Sequence, residues 1–483
     1  MSRRAATAFA CLALAGCTLE PRYATPTPAV PPSWPVGDAY LRQSEATLPA
    51  VSYRDIFREP RLQAIIDRAL VNNQDVAIAL ANVAAARAQY RVQRSGLFPQ
   101  VAADAGVSLS RVNTARQGAG FGGGGTRTVY STEVGLSSFE IDLFGRLRSL
   151  SKAALQEYLG SEAAVRATRL TLVGEIASAY LTLATDRSLL AIAVDTEASA
   201  QRSVDLTRAR LTGGVAPRSD LRQAESVLAQ ARSDRADLIT AVAQDRNALD
   251  LLVGAPVTDA DLPASIESVD GLLGELPAGL DARVLLRRPD VVQAEYQLRA
   301  ENARIGAARA AFFPAISLTG AIGFASTALS SLFSGGAFTW SAGPGATLPI
   351  FDGGARSGNL AVARAQRDVA LGQYQRTIQT AFREVADALA RRGTIDRQFA
   401  AQSDLTAAAQ DNFRLAEARY REGIDPFLTT LDAQRTLYGA RRSLAATRLT
   451  RADNLVTLYR VLGGDMLTDA LPVRPAVEPA PGR

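Results

Sequence analysis

The sequence states one pattern twice. Arg94, Ser95, Gly96, Leu97, Phe98 and Pro99, followed by an alternating stretch, return 215 positions later as Arg309, Ala310, Ala311, Phe312, Phe313 and Pro314, followed by another alternating stretch. The turn Ala209, Arg210, Leu211, Thr212, Gly213, Gly214, Val215, Ala216, Pro217 returns 209 positions later as Ala418, Arg419, Tyr420, Arg421, Glu422, Gly423, Ile424, Asp425, Pro426. A diverged tandem duplication with small loop changes leaves this trace. The 483 residues are therefore expected to fold as two copies of one supersecondary unit.

The N-terminus reads as a targeting signal. Arg3 and Arg4 form a positive region, Ala5 to Ala15 an apolar one, and Leu14, Ala15, Gly16, Cys17 match a bacterial lipobox. Cys17 is expected to become the first residue and to carry the lipid, several acyl chains giving stable anchoring where one is marginal. The other cysteine, Cys11, lies in the segment removed, so the mature chain forms no internal disulfide. Beyond residue 16 no apolar run approaches the roughly 18 residues of a membrane helix, so any crossing must use strands. Lys and Arg total 53 against 48 acidic residues. Without Arg3 and Arg4 the balance is 51 to 48, scattered along helices, and no nucleic-acid partner is expected.

Periodicity changes along each repeat. After a Pro-rich stretch, Leu62 to Leu70 and Val76 to Leu97 read as helices. Val101, Ala103, Ala105, Val107 and Leu109 then alternate with Ala102, Asp104, Gly106, Ser108 and Ser110, a strand with two unlike faces. A loop rich in Gly from Gly118 to Gly125 leads to a returning strand over Thr128 to Leu143. Long heptad helices follow, seamed by Tyr180, Leu183, Leu190 and Val204 in the first half and by Tyr374, Ile378, Val385 and Tyr420 in the second. Each is about 90 to 100 Å long at about 1.5 Å per residue, and each ends at a short loop that forces an antiparallel partner.

The expected organisation is a signal peptide at 1–16, a lipid-anchored Pro-rich tether at 17–52, a first repeat at 53–270 and a second at 271–465, with a tail at 466–483. Within the repeats the β-hairpins fall at about 100–143 and about 315–351, and the helical hairpins at about 149–254 and about 357–463. The fold class is mainly α with a membrane β part. A strand crosses hydrocarbon only inside a closed barrel, and known spanning barrels need about eight strands or more. Four strands cannot close one, so several copies must pool theirs.

Arg287, Arg288, Pro289, Asp290 and Val291, then Ala294, Glu295, Leu298, Asn302, Ile305, Gly306, Phe312, Phe313 and Pro314, resemble the outer-membrane lipoprotein channels of tripartite, RND-type multidrug efflux systems. The junctions Glu140, Asp142, Leu143, Phe144, Gly145, Arg146 and Pro349, Ile350, Phe351, Asp352, Gly353, Gly354 look like the same family's. The resemblance implies a homotrimer with a twelve-stranded barrel in the outer membrane and a long helical barrel in the periplasm. It also implies a periplasmic adaptor and an inner-membrane RND-type transporter as partners. Helix-tip contacts with the adaptor map to Arg210, Leu211, Gly214, Tyr420 and Gly423, and the periplasmic gate to Leu428, Asp432 and Arg435. Independently of the resemblance, 428, 432 and 435 share one helix face, so a threefold axis gathers them into rings. Asp432 is expected to pair with nearby arginines such as Arg435. Phe427 and Phe139 depart from the Tyr and Trp usual at those places.

Other classes fare worse. With no histidine anywhere and no cysteine in the mature chain beyond the lipid site, imidazole and thiol catalysis and His or Cys metal sites are excluded, and neither cofactor nor metal is expected. The chain reads as a non-enzyme that exports drugs or other small toxic compounds. Alternatives are a duct for type I protein secretion or metal export, and a lipid-anchored periplasmic scaffold without a pore.

Overall fold

The computed structural model describes residues 18–40 except 29, 32, 36 and 38, then 53–111, 126–269 and 282–464. The signal peptide, Cys17 and the Gly118 to Gly125 loop lie outside the described residues. The fold is mainly helical with one small sheet. Its elements are α1 (Pro60–Asn72), α2 (Gln74–Ser95), β1 (Val101–Arg111), β2 (Thr126–Ile141), α3 (Arg146–Thr212), α4 (Arg218–Val253), α5 (Pro289–Ala310), β3 (Ala315–Ser326), β4 (Phe338–Thr347), α6 (Ala355–Arg421) and α7 (Phe427–Val461).

The duplication is visible element by element. Helices α2 and α5 both have 22 residues, α3 and α6 both have 67, and α4 and α7 have 36 and 35. At about 1.5 Å per residue, each 67-residue helix runs about 100 Å. The compact units nevertheless cut across the repeats: one comprises residues 1–27, 82–161 and 294–374, the other 28–81, 162–293 and 375–483.

In the first unit the strands form a single antiparallel sheet in the order β1, β2, β3, β4. Its register sorts the side chains. Val101, Ala103, Ala105 and Val107 align with Leu136, Val134, Thr132 and Tyr130, and then with Gly320, Ile322 and Phe324 and with Ala342, Trp340 and Phe338. The opposite face carries Asp104, Glu133, Ser108, Ser131 and Ser341. Among the described residues no element covers the apolar face, where Val101, Val107, Leu109, Ile322 and Trp340 are all exposed. One residue too many in β2 makes a bulge between Leu136 and Phe139, at which Ser138 takes a φ of 53°.

Arginine–carboxylate pairs clamp the strand-to-helix junctions. Arg146 grips Glu140, with Nε to Oε1 at 2.8 Å, and Asp142 accepts the backbone N–H of Arg148 at 2.9 Å. In the second repeat Asp352 accepts the N–H of Gly354 at 3.0 Å and Arg356 Nε at 2.5 Å, and that guanidinium holds its carboxyl below the usual range. The stretch after Cys17, expected as a tether, is docked: Lys152 pairs with Glu20 at 2.9 Å, Asn302 donates to the Pro21 carbonyl at 2.8 Å, and Arg309 donates to that of Leu19 at 3.2 Å.

The main core lies in the second unit. Phe57, Leu62, Ile65, Ile66 and Ala69 pack on Val173, Ile176, Ala177 and Tyr180 of α3, on Leu249 and Val253 of α4, and on Val456 and Tyr459 of α7. Small and β-branched residues along α3 allow this close helix approach. A second cluster closes the far ends of the helical hairpins, built from Ala200, Val204, Leu221, Leu228, Tyr420, Phe427 and Leu431.

Candidate duct and helix-tip site

Both helical hairpins turn by the same device. Helix α3 ends with Gly214 at φ 75°, where the N–H of Val215 bonds the Arg210 carbonyl at 2.9 Å and that of Gly214 the Leu211 carbonyl at 3.0 Å. Helix α6 ends with Gly423 at φ 77°, Ile424 bonding Arg419 at 2.9 Å and Gly423 bonding Tyr420 at 3.0 Å. A residue with a Cβ is strained at this φ, so glycine sets the stop. Pro217 and Pro426 then open the returning helices. Val215 and Ile424, at the two turns, are exposed apolar residues.

The five expected tip residues are brought together, but in different roles. Arg210 reaches across to the other hairpin, donating to the Tyr420 carbonyl at 2.7 Å with its guanidinium carbon 4.7 Å from the Tyr420 ring. Tyr420 is only 4% exposed, its hydroxyl 3.2 Å from that of Thr207 and its ring 5.3 Å from Phe427. It is thus a bolt between the hairpins. Leu211 is half-buried beside this cluster, and Gly214 and Gly423 are exposed. Arg419 grips Asp425 with contacts of 2.6 and 2.9 Å and holds that carboxyl below the usual range.

The first residues of α7 divide sharply. Phe427, Thr430, Leu431, Ala433 and Gln434 face inward, while Leu428, Asp432 and Arg435 form one exposed face. Among the described residues, neither the Asp432 carboxylate nor the Arg435 guanidinium has an ion partner within the chain, so the expected pairing is not made inside one copy. Behind this face, Arg435 lines a cavity of about 280 Å³ together with Gln434, Tyr438, Thr196 and Gln230. Asp234 accepts from Tyr438 at 2.6 Å; burial first, then this carboxylate, pushes the phenol up to about 12. Among the described residues no helix is long and apolar enough to cross a membrane, and no group of three His, Cys, Asp or Glu could hold a metal.

The model of the outer membrane efflux protein family matches residues 65–255 and 282–464, one span for each repeat. The chain belongs to the outer membrane efflux protein family. It is 44% identical over 455 residues to the toluene efflux pump outer membrane protein TtgC of Pseudomonas putida, 93% of each chain being covered. To the outer membrane protein OprJ of Pseudomonas aeruginosa it is 41% identical over 456 residues, 94% of each. A crystal structure of the open state of the MtrE outer membrane channel of Neisseria gonorrhoeae superposes with a TM-score of 0.81 at 35% identity, covering 93% of this chain and 99% of that one.

Two features of this outer membrane efflux protein escaped the sequence reading. Arg288 is the hub of a buried network that joins Asp290, Glu384 and the Val461 carbonyl. Asp186 of α3 and Asp245 of α4 face each other between the arms of the first helical hairpin, and burial raises both carboxyls above their ordinary range. Burial and then the Asp186 charge push the Asp245 carboxyl up to about 6. The corresponding positions of the second repeat hold Ile395 and Asn454, so only the first hairpin carries the pair. An unfolded Asp titrates near 3.8. Between that value and about 6 the folded chain keeps a proton that the unfolded chain releases, so stability falls as pH rises through this window and stays lower above it. Asp245→Asn is therefore expected to raise the melting temperature at pH 7.5 by roughly 2 °C, about 1 kcal/mol after discounting for solvent screening, and to flatten the pH 5 to 7.5 difference. An unchanged pH profile by thermal unfolding rules out the shared proton.

Proposed function

We propose that this outer membrane efflux protein is the exit duct of a tripartite pump. Three copies pool four strands each into a twelve-stranded barrel, and the paired long helices continue the wall into the periplasm. One observation carries this reading: a four-stranded sheet with an uncovered apolar face, an opposite face bearing Asp104 and Glu133, and two free edges. Such a sheet is unstable alone in either water or lipid, and closure with its own kind relieves both problems. The apolar face then meets hydrocarbon and the polar face meets water.

Cys17 carries the lipid in this reading. The docking of Leu19 to Pro21 on α5, beside the strand-to-helix junctions, supports it, because the residues just after the lipobox are already held on the folded body. One relative is a toluene efflux pump outer membrane protein, which supports small toxic compounds as the cargo class. The tips at Arg210, Leu211, Gly214, Tyr420 and Gly423 receive the adaptor, which links the duct to an RND-type transporter. Tyr420 contributes by holding the two tips together, since its side chain is buried.

Leu428, Asp432 and Arg435 form the gate. Among the described residues neither charge has an ion partner within the chain, which supports pairing between copies around the axis, an Asp432 carboxylate of one against an Arg435 of the next. In planar bilayers the purified protein is expected to conduct, and Asp432→Ala with Arg435→Ala to raise its closed-state current several-fold. No current in either form sinks the duct. A current unchanged by the double substitution removes these residues from the gate.

A further inference from the structure

Gln434 carries an amide donor that no described residue uses. Its side chain is only 5% exposed, yet Nε2 has no hydrogen-bond partner among the described residues. A buried donor is costly unless an acceptor reaches it, so the acceptor is expected to come from outside the chain. The amide borders the cavity of about 280 Å³ between α3, α4 and α7. That space is several times the roughly 30 Å³ share of one water and lies just below the smallest ligand pockets, at about 300 Å³, so it suits a molecule of one ring. The other side-chain donors of the lining are committed. Thr196 donates its hydroxyl to the Ile192 carbonyl at 2.7 Å and Ser226 to that of Gln223 at 2.9 Å, while Gln230 and Tyr438 donate to Asp234 at 2.7 and 2.6 Å. Asp234 lies outside the lining and 3.9 Å from Arg442. Gln434 Nε2 and the Arg435 guanidinium are left, a buried amide beside the only charge in the lining.

We infer that this cavity binds a small aromatic carboxylate, one per chain, with its carboxylate held by Arg435 and Gln434 Nε2 and its ring against Tyr438, Val227 and Ala231. Charge and apolar wall together select it: a cation gains nothing beside Arg435, and a neutral ring leaves the guanidinium unpaired. Gln434 also borders a second cavity, of about 240 Å³, but Asp195 and Glu417 stand in its lining and repel an anion. The first hairpin holds no equivalent site. At the offset of 209, Glu225 and Ser226 take the places of Gln434 and Arg435, and an anion meets a carboxylate there instead of an amide. Binding also bears on the gate, a step that rests on the gate proposed above. An Arg435 that holds the ligand is withdrawn from Asp432 of the partner subunit, so the closed ring loosens when the carboxylate is present.

The probe is benzoate, titrated calorimetrically into the purified full-length protein, with benzylamine as its cationic match and benzyl alcohol as its neutral one. Benzoate is expected to bind saturably at one site per chain, and the other two at least about tenfold more weakly. Gln434→Leu replaces an unpaired buried amide by an apolar side chain, a change the fold tolerates, and Arg435→Ala alters an exposed position; each is expected to weaken benzoate about tenfold or more. No saturable binding, equal binding of all three probes, or benzoate binding unchanged in either variant overturns the site. In planar bilayers benzoate is expected to raise the closed-state current of the parent several-fold and to leave that of Gln434→Leu where it was. Saturable binding with a parent current that benzoate does not change overturns the link to the gate. Saturable binding with no current under any condition sinks the duct and leaves the site.

Discussion

Arg288→Ala lowers the unfolding free energy by about 3 kcal/mol, enough to remove most properly assembled protein from the membrane. The side chain is only 10% exposed and all three of its nitrogens are engaged. Nε and Nη2 fork onto Asp290 at 3.1 and 2.8 Å, Nη2 also meets Glu384 at 2.9 Å, and Nη1 donates to the Val461 carbonyl at 2.9 Å. One residue therefore ties the start of α5, the middle of α6 and the last turn of α7. Removing it strands the Val461 carbonyl and leaves two carboxylates facing each other. These carboxylates keep 40% and 36% of their side-chain surface, so water recovers part of their loss and the figure sits at the lower end for a broken buried pair. Arg288→Lys keeps the charge but not the fork, and falls between. Denaturant unfolding of the detergent-extracted protein reads the effect, and a midpoint within error of the parent dismisses the hub.

Gly323→Val abolishes assembly of the sheet altogether. A Cβ at Gly323 would lie 2.2 Å from the Thr132 carbonyl oxygen and 2.7 Å from the Glu133 Cα, both backbone atoms of β2. Rotation of a side chain cannot clear backbone, so β2 and β3 must separate, and the ladder from Tyr130 to Leu136 goes with them. At Gly335, by contrast, a Cβ meets nothing within 4 Å, and Gly335→Ala is the matched control. Heat-modifiable oligomers and bilayer current are expected to vanish in the first variant and persist in the second. Wild-type current from Gly323→Val contradicts the packing described here.

The strands and long helices were legible because their chemistry is periodic. Val101 to Leu109 alternate with small and polar residues, and only a sheet with two unlike surroundings rewards that alternation. The heptad seams through Tyr180 and Tyr374 led to helices of the length seen. Arg288 stands in the stretch that carries the family resemblance, but its role leaves no sequence signal, since its partners Glu384 and Val461 are 96 and 173 residues away and no local pattern joins them. Asp186 and Asp245 meet only once the register of the first hairpin is known. Tyr420 looked like a surface contact because it sits at a turn, whereas the second hairpin's ring faces inward on Phe427. The stretch from Leu19 to Pro21 looked like a free spacer because backbone carbonyls, which carry no sequence signal, make two of its bonds.

The twin hairpins have one more consequence, which concerns ancestry. At the offset of 209 set by the 67-residue helices, Leu428, Asp432 and Arg435 correspond to Ser219, Gln223 and Ser226. A half-length forerunner would have built its ring from six equal parts, each bearing the same residues at the narrow end. Fusion of two such genes would free one half to acquire charge while the other stayed neutral, so that in the proposed ring only alternate places would be ionic.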